Sequence, residues 1–281
     1  MKVLVEDESS TLAARNAAFW NELCGTSFAR ALGVTDDSPA SLKRFDDWYF
    51  AFYPYLLIHI PFEDMKAKDV LEVGLGYGTV SQRIAEVGAR YHGLDISPGP
   101  VWMANHRLQQ AGLCGQVRQG SILKADFPNS SFDFVVAIGC LHHTGDLQAA
   151  IDECHRILRP GGKLVCMVYN AYSYRRVYQA RRETIRYAFR ELLGYRGVAE
   201  ARTSKERAAY DANAAGDAAP HTDFISRRSL RYLCKKFSSF AAQSENIDNG
   251  TPFEKSPPRR ELLKTLWPRL CGLDLYATAV K

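Results

Sequence analysis

The sequence contains no apolar run long enough to cross a bilayer and no C-x-x-C pair. A membrane-spanning helix needs roughly twenty apolar residues, and even the apolar run at 134–141 is far shorter. The seven cysteines are scattered between Cys24 and Cys271, which fits a reduced interior better than a disulfide framework. The opening residues, MKVLVEDESS, turn acidic after five positions and lack the apolar core of a signal peptide. We therefore expect a cytoplasmic protein with no membrane partner.

The sequence also lacks a strong excess of charge. Its net charge is +5, with 24% charged and 46% hydrophobic residues, so composition decides little about partners. The pattern of one basic stretch favours a solvated helix face balanced by Glu183 and Glu191. A clamp for a phosphate or carboxylate of the substrate is a second interpretation, and nucleic-acid binding is the third, so no nucleic-acid partner is expected. The stretch holds Arg175, Arg176, Arg181, Arg182, Arg186 and Arg190.

Short apolar runs alternate with amphipathic helical patterns through the middle of the chain. Helices are predicted after a glycine-rich turn, from Pro98 to Gly112, and from about Asp146 to Leu158. This alternation predicts an α/β fold with a doubly wound, mostly parallel sheet. The predicted strands are 69–73, 91–94, 116–118, 132–138 and 163–169.

Segments on either side of this core predict a helical cap. One amphipathic helix is expected at 9–24, and two helical pieces are expected in 41–60, broken near Pro54. The chain then divides into an N-terminal helical cap, a ligand-binding core, a helical lid, and C-terminal helices and strands that complete the sheet. These parts are 1–65, 66–170, 171–221 and 222–281.

The sequence patterns of the lid and of the C-terminal part are weaker than those of the core. Residues 171–193 predict one basic helix, and 197–220 form an alanine-rich, weakly patterned connection. Ser226 is placed to cap a further helix. Two final strands are expected near 239–247 and 273–280, at one edge of the sheet.

A glycine-rich turn follows the first predicted strand. Gly74, Gly76 and Gly78 let the backbone come close to a nucleotide-like ligand. Asp95 ends the second predicted strand, where a carboxylate can accept both ribose hydroxyls. The turn and the acid together predict a nucleotide-like ligand at this end of the sheet.

The details of the turn separate two ligands. A dinucleotide-binding turn has a third glycine where Thr79 stands here. Glu72 precedes the first glycine by two residues, and a carboxylate there faces an ammonium group better than a phosphate. A ligand with a ribose and an amino-acid tail, and without phosphate, satisfies both features.

Four motifs carry a resemblance to a known family. They are LEVGLGYGT, GLDIS, GSILKADFPNSSFDFVVAIGCLHHTGD and LRPGGKL, and together they cover about 69–168. In this order and spacing the chain resembles the class I S-adenosylmethionine-dependent methyltransferases, in the broad group that acts mostly on small molecules. The resemblance implies a Rossmann-like core and S-adenosylmethionine as the cofactor.

The resemblance also implies roles for single residues. Glu72 contacts the methionine ammonium, Asp95 takes the ribose hydroxyls, and Ile96 covers the adenine. The family usually has an acid that accepts from the adenine amino group, but this chain has Ser121 there, a weaker and neutral partner. The predicted cofactor-binding set is Glu72, Gly74, Leu75, Gly76, Tyr77, Gly78, Asp95, Ile96, Ser121, Ile122 and Gly139.

Candidate catalytic residues follow the fourth predicted strand. Methyl transfer from a sulfonium depends mainly on alignment, and a histidine of near-neutral pKa helps where a hydroxyl or ammonium must lose a proton. His142 and His143 lie at the carboxyl end of that strand, and His143 is preferred as the base. The alternatives for both are loop packing, helix capping and substrate orientation. Cys140 and Asp146 nearby lack the spacing of a zinc site, so no metal is predicted.

An aromatic wall is predicted around the substrate, because aromatic faces attract a sulfonium cation. The same side chains could instead pack the cap onto the core. The candidates are Tyr49, Tyr53, Tyr169, Asn170 and Tyr172.

The predicted function is methyl transfer from S-adenosylmethionine to an oxygen or nitrogen of a small-molecule metabolite. Alternatives are an enzyme of the same fold that uses this cofactor for cyclisation or transfer of another group, an NAD-dependent dehydrogenase, and a non-catalytic relative. A small-molecule substrate is the expected partner. No motif specifies the oligomeric state, so a homodimer is left open.

Overall fold

The structure of the protein is a computed structural model that describes residues 12–250, 252–253 and 255–281. In these residues nine strands form one sheet with helices packed on both faces. The opening segment MKVLVEDESS and the start of the predicted helix at 9–24 lie outside the described residues. None of the described helices combines the length and the apolar character that a bilayer crossing requires.

The parallel part of the sheet confirms the predicted fold class. Its order is β3-β2-β1-β4-β5, with every neighbouring pair parallel. Strands β1 and β4 have the predicted bounds, and β2 and β3 each extend one residue further at both ends. The strands are β1 (Asp69–Val73), β2 (Arg90–Asp95), β3 (Gly115–Gln119), β4 (Phe132–Ile138) and β5 (Leu158–Asn170).

The predicted turn before β5 lies inside the strand. Phe132 pairs with Leu158, whereas Phe134, two residues later, pairs with Lys163, so residues 159–162 bulge out of the ladder. Gly161 has a φ of 78°, a left-handed conformation that favours glycine. The proline and glycines therefore shift the register without ending the strand.

Four later strands extend the sheet beyond β5. They are β6 (Ala199–Glu200), β7 (Asp223–Ile225), β8 (Ser239–Glu245) and β9 (Asp274–Val280). Strand β9 pairs antiparallel with β5 and β8 pairs antiparallel with β9, so the two predicted final strands are confirmed, with β9 between β5 and β8. Strands β6 and β7 were not predicted, since each is only two or three residues long.

Four helices of the N-terminal part cover the carboxyl end of the sheet. They are α1 (12–19), α2 (Thr26–Ala31), α3 (Pro39–Phe52) and α4 (Leu56–His59). Ser38 caps α3 by accepting from the Ser41 backbone N–H at 3.3 Å, and Pro39 takes the first position. The break between α3 and α4 contains Pro54, as predicted, because proline cannot continue the hydrogen-bonded turn.

The helices between the parallel strands are α5 (Thr79–Glu86), α6 (Pro98–Gln110) and α7 (Leu147–Ile157). Asp146 caps α7 by accepting from the Ala149 N–H at 2.9 Å. Neighbouring residues of β1 show how the sheet is buried on both sides: Val70 packs against the helices on one face, Leu71 packs on the other, and both are fully buried. This burial explains the continuous apolar runs in the sequence.

After β5 the chain forms α8 (Tyr174–Gln179), α9 (Arg181–Leu192) and α10 (Ser204–Ala208). The single basic helix predicted at 171–193 is wrong, because the chain leaves helical conformation at Ala180, where φ is −124° and ψ is 45°. No proline or glycine marks this break in the sequence. The last helices are α11 (Arg227–Leu233), capped by Ser226 as predicted, α12 (Arg259–Leu262) and α13 (Trp267–Cys271).

A buried ion pair holds α3 against the core. The Arg107 side chain on α6 is fully buried, and its Nη1 and Nη2 donate to the Asp46 carboxylate at 2.8 and 2.9 Å. Thr79 at the start of α5 donates its hydroxyl to the same carboxylate at 2.6 Å. A bidentate pair fixes both distance and orientation, so α3 is positioned directly over the glycine-rich turn.

Candidate active site

The carboxyl ends of the parallel strands open into a cavity of about 590 Å³. Its walls come from the glycine-rich turn after β1, the ends of β2, β4 and β5, the N-terminal helices, and the segment that follows α10. Ligands of open parallel sheets bind at this edge. The cavity is therefore the candidate active site.

The glycine-rich turn has backbone angles that favour glycine. Gly74, Gly76 and Gly78 have φ values of 78°, 51° and 73°. A Cβ on Gly74 would lie 2.6 Å from Cys140 Cβ, whereas a Cβ on Gly76 would meet only Cys24 Cβ, at 3.8 Å. Gly76 thus presents bare backbone to the cavity, which lets a ligand approach closely.

Gly78 has a different role from the one predicted. It does not line the cavity. A Cβ there would come within 2.8 Å of Arg107 Cδ, because the buried arginine passes beneath the turn. The absence of a side chain at Gly78 therefore serves internal packing, and the predicted cofactor contact is not supported by its position.

Asp95 points into the turn. Its Oδ2 accepts from the Leu75 N–H at 2.8 Å, and its Oδ1 accepts from the Ser97 N–H at 2.9 Å. These bonds orient the carboxylate and leave further lone pairs on both oxygens. Burial raises the pKa of Asp95 above its usual value. The arrangement suits a ligand with two neighbouring hydroxyl groups.

Glu72 is buried on the opposite wall. Its Oε2 accepts from Ser81 Oγ and from the Tyr91 hydroxyl, both at 2.6 Å. Burial raises the pKa of Glu72 to about 7, in spite of these two hydrogen bonds. A cationic ligand group beside it would favour the ionised carboxylate. The position fits the predicted contact with an ammonium group.

Five further residues of the predicted cofactor-binding set line the cavity, among them Ile96 and Ser121, which the resemblance assigns to the adenine. Ile96, Ser121, Ile122 and Gly139 line it, and Tyr77 lines it while stacking on the ring of Phe45. Ser121 Oγ accepts from the Leu123 N–H at 3.2 Å, where it caps a short 3-10 helix. Ser121 therefore has one acceptor direction already used, and it is a modest partner for an adenine amino group.

These residues fit S-adenosylmethionine. The turn offers bare backbone at Gly76, Asp95 offers acceptors for two hydroxyls, and Glu72 offers a carboxyl for an ammonium. The position of a third dinucleotide-type glycine is filled by Thr79, whose hydroxyl is bonded to Asp46 at 2.6 Å. The donor and acceptor set thus matches an amino-acid tail and a ribose better than a pyrophosphate.

The two predicted catalytic histidines have different surroundings. His142 is fully buried and does not line the cavity. Its ring packs at a tilt against those of His143 and Tyr169, with centroids 4.1 Å from each. Burial lowers the pKa of His142 well below its usual value. The predicted catalytic role of His142 is therefore not supported by its position, because no ligand in the cavity reaches its ring.

His143 lines the cavity and has a defined tautomer. Its Nδ1 lies 2.6 Å from the His221 carbonyl oxygen, which can only accept, so Nδ1 carries the hydrogen. In the neutral ring Nε2 then has a free lone pair. Burial lowers the pKa of His143, which favours this neutral form.

Asp211 lies beside His143 in the wall of the cavity. Its Oδ2 lies 3.5 Å from His143 Nε2, and its Oδ1 accepts from the Tyr169 hydroxyl at 2.9 Å. Neither Nε2 nor Oδ2 has a hydrogen-bond partner within the described ranges. Burial raises the pKa of Asp211, and the neighbouring histidine opposes this rise. These two buried acceptor atoms thus face each other in two side chains that both line the cavity.

The predicted aromatic wall is formed in part. Tyr49, Tyr53 and Tyr169 line the cavity. Asn170 and Tyr172 do not, so the prediction of a substrate contact is not supported for these two. Asn170 Nδ2 donates to the Gly272 carbonyl at 2.9 Å, and the Tyr172 hydroxyl donates to Glu191 Oε2 at 2.6 Å. Both side chains therefore point away from the cavity and hydrogen-bond to other segments that pack around β5.

Several polar residues of the cavity were not predicted. Asn246 Nδ2 donates to Asp274 Oδ2 at 2.9 Å, and burial raises the pKa of Asp274 to about 7. Arg259 Nη2 donates to Asn246 Oδ1 at 3.0 Å, and Arg175 pairs with Asp248 at 2.5 Å. Of these residues, the sequence pattern points only to Arg175, as part of the basic stretch for which a substrate clamp is one interpretation.

The described residues contain no group of three or more His, Cys, Asp or Glu side chains arranged to hold a metal ion. The cysteines found in the structure are all free thiols. Cys140 donates its Sγ–H to the Val73 carbonyl at 3.0 Å, so it serves the packing beneath the glycine turn.

The sheet order, the glycine turn after β1 and the acid after β2 define a class I methyltransferase core. The model of a family described as a methyltransferase domain matches residues 71–166. This part of the chain is therefore a class I methyltransferase domain, and S-adenosylmethionine is its cofactor.

Relatives and solved structures agree with this class. The chain is 32% identical over 99 residues to a demethylmenaquinone methyltransferase of Tropheryma whipplei, covering 35% of this chain and 40% of that protein. It is 29% identical over 111 residues to a ubiquinone biosynthesis O-methyltransferase of Cereibacter sphaeroides, covering 40% and 44%. The chain thus matches less than half the length of these curated relatives.

A solved SAM-dependent methyltransferase of Methanosarcina mazei shares the fold. The TM-score is 0.54 at 18% identity, with 82% of this chain and 97% of that chain covered. At this identity the likeness concerns the fold alone.

Proposed function

We propose that the protein transfers a methyl group from S-adenosylmethionine to an oxygen or nitrogen of a small molecule. We further propose that His143 and Asp211 receive the hydrogen of the acceptor. The observation that carries the proposal is the pair of buried acceptor atoms, His143 Nε2 and Asp211 Oδ2, which have no hydrogen-bond partner among the described residues and belong to side chains that line the cavity together with Asp95.

The chain's own residues perform three tasks in this proposal. When bound, S-adenosylmethionine supplies an electrophilic methyl group. His143 is neutral near pH 7, so Nε2 is free to accept a proton, while the bond from Nδ1 to the His221 carbonyl holds the ring in place. The Asp211 carboxylate stabilises the resulting imidazolium, and Tyr169 orients that carboxylate.

The walls favour a planar acceptor. Trp20, Tyr49, Tyr53 and Tyr210 line the cavity with aromatic side chains. Flat rings stack well on such faces. The relative from Cereibacter sphaeroides is named an O-methyltransferase of ubiquinone biosynthesis, which supports an aromatic hydroxyl as the first acceptor to test.

Cofactor binding is the first test. We expect S-adenosylmethionine to bind in a calorimetric titration, NAD not to bind, and Asp95→Ala to weaken the former about 100-fold or more, because two hydrogen bonds to a charged group are lost. Asp47→Asn, a change of an exposed carboxylate on α3, is the matched control and should leave affinity unchanged. Absence of S-adenosylmethionine binding in the wild type would overturn the proposal.

Product analysis is the second test. The protein is incubated with S-adenosylmethionine carrying a deuterated methyl group, together with simple phenols or a metabolite extract. Mass spectrometry should show products that have gained the labelled methyl, and His143→Asn should reduce their rate about 100-fold or more. Products labelled elsewhere, or cyclised without label, would instead support the alternative chemistry of the same fold.

A further inference from the structure

Helix α9 carries its apolar side chains on the outside. Ile185, Phe189 and Leu192 are 59%, 61% and 78% exposed, and Leu193, directly after the helix, is 74% exposed. At 3.6 residues per turn these four side chains fall within an arc of about 100°. They form a continuous apolar stripe on the surface, which we call the α9 stripe.

The inward face of α9 is polar instead. Thr184, Tyr187 and Glu191 are buried, and Glu191 accepts from Ser226 Oγ at 2.5 Å and from the Tyr172 hydroxyl at 2.6 Å. Surface helices normally turn their apolar face to the core. This helix has the reverse arrangement, so the exposure of the stripe does not result from packing requirements of the interior. It also corrects the prediction that Glu191 balances the arginines.

Neighbouring helices have exposed apolar residues as well. Val177 and Tyr178 on α8 and Trp267 on α13 are exposed and line one surface groove. Leu266 and Leu270 beside Trp267 are exposed too. The region around α9 is therefore unusually apolar for the surface of a monomer.

The charges beside the α9 stripe are mostly positive. Arg181, Arg182, Arg186 and Arg190 are all exposed, and none of them forms a salt bridge to another residue within the described ranges. Glu183 is the remaining carboxylate of α9 and is half-buried. Arg190 lies over the Tyr195 ring, with its guanidinium carbon 3.7 Å from the ring centroid. The stripe thus presents exposed guanidinium groups beside apolar side chains.

We propose that α9 binds the surface of a membrane that contains anionic lipids. The apolar stripe would enter the boundary between headgroups and acyl chains, while the arginines contact lipid phosphates; basic and apolar residues side by side are typical of interfacial helices. The expectation of no membrane partner rested on the lack of a spanning segment, and a surface helix needs none. Vesicle binding requires neither cofactor nor acceptor, so the proposal stands apart from the proposed function.

A second copy of the chain fits the stripe less well. In a two-fold dimer the same surface meets itself. The arginines of one α9 would then face those of the other, and like charges across an interface are unfavourable. Charge complementarity therefore favours an anionic surface over self-association.

The experiment is sedimentation of the full chain with vesicles of phosphatidylcholine alone or with 30% phosphatidylglycerol. We expect binding only to the anionic vesicles, weakening as salt is raised. The double variant Arg182→Gln and Arg186→Gln should bind about 30-fold more weakly, since each basic residue near such a surface strengthens binding about fivefold. Phe189→Glu should also reduce binding at least tenfold.

Matched controls distinguish an effect of the α9 stripe from general effects of charge or of folding. Lys43→Gln with Arg44→Gln removes the same charge from α3, and Trp102→Glu places an acid at another exposed aromatic site. Both should bind like the wild type, and all variants should keep the wild-type thermal unfolding. Equal binding to neutral vesicles, no binding, or an unaffected Phe189→Glu variant would overturn the proposal. A lipid-free dimer that Phe189→Glu converts to monomer would also overturn it, in favour of self-association.

Discussion

Glu72 is a single carboxyl whose ionisation couples to ligand binding. Its ordinary pKa is near 4.5, and burial raises the pKa to about 7 in the folded protein. Between these values the folded chain binds more protons than the unfolded chain, so the contribution of Glu72 to stability falls as pH rises from 4.5 to 7. Asp274 has the same direction of shift and adds to this slope.

Affinity for S-adenosylmethionine should therefore depend on pH. The methionine ammonium of S-adenosylmethionine favours the ionised form of Glu72. We therefore expect the affinity of the wild type for S-adenosylmethionine to rise about tenfold between pH 6 and pH 8, with release of one proton on binding at the lower pH. Glu72→Gln should bind more weakly and show no such rise, measured by calorimetry across the pH range. A pH dependence that persists in the variant would assign the proton to another group.

Asp211 is expected to tune His143. The carboxylate raises the pKa of His143 while burial lowers it, so Asp211→Asn lowers that pKa further. A weaker base should reduce kcat about 10- to 100-fold and move the acid limb of its pH profile to lower pH. Affinity for S-adenosylmethionine should not change. The other titratable groups near His143 are His142, His221 and Asp223, which the variant leaves in place.

Asp217→Asn, an exposed change in the same segment, is the control for this variant. If both variants keep the wild-type kcat and pH profile, Asp211 has no role in proton transfer and the reaction depends on alignment alone.

At the scale of elements, the turn before α5 depends on Gly78. Alanine there must adopt a φ of 73° and place Cβ 2.8 Å from Arg107 Cδ. Gly112 after α6 has a φ of 65° with no atom within 4 Å of an added Cβ, so Gly112→Ala measures the backbone strain alone. We expect Gly78→Ala to destabilise the protein by about 1–3 kcal/mol more than Gly112→Ala. Thermal or denaturant unfolding would show whether the two variants differ.

The attachment of α3 depends on one buried pair. Asp46→Ala leaves the buried Arg107 guanidinium without its carboxylate, and breaking such a pair by removal of one partner costs about 3–5 kcal/mol. We expect a correspondingly lower stability in denaturant unfolding. Asp47→Ala, at the next position but exposed, should change stability by less than about 1 kcal/mol. Similar losses in both variants would contradict a special role for the pair.

At the scale of the whole molecule, the parallel core is predictable because its signals are local. Leu71 and Val136 belong to strands buried on both faces, so apolar runs locate β1 and β4 directly. Gly76 and Asp95 are found by the turn and the acid that follow these strands. Such signals need only a few neighbouring residues.

The rest of the site depends on contacts between distant segments. His221 lies 78 residues beyond His143, and no periodic pattern indicates that its carbonyl accepts from that ring. Asn170 directly follows Tyr169, yet one turns inward and the other lines the cavity, because successive strand residues point to opposite sides. The sequence also does not show which face of α9 points inward, since Glu191 is buried through hydrogen bonds to residues that come later in the chain.

The groups next to the two ring nitrogens of His143, the His221 carbonyl and the Asp211 carboxylate, belong to one loop, the stretch that joins α10 to β7. Any movement of that loop to exchange ligands withdraws the two partners together, and the imidazole loses its orientation at the moment the chamber opens to solvent. In the proposed mechanism, proton removal by His143 then requires this loop to be in place beside the acceptor. A substitution that makes the loop more mobile should slow methyl transfer and not only speed the release of ligands.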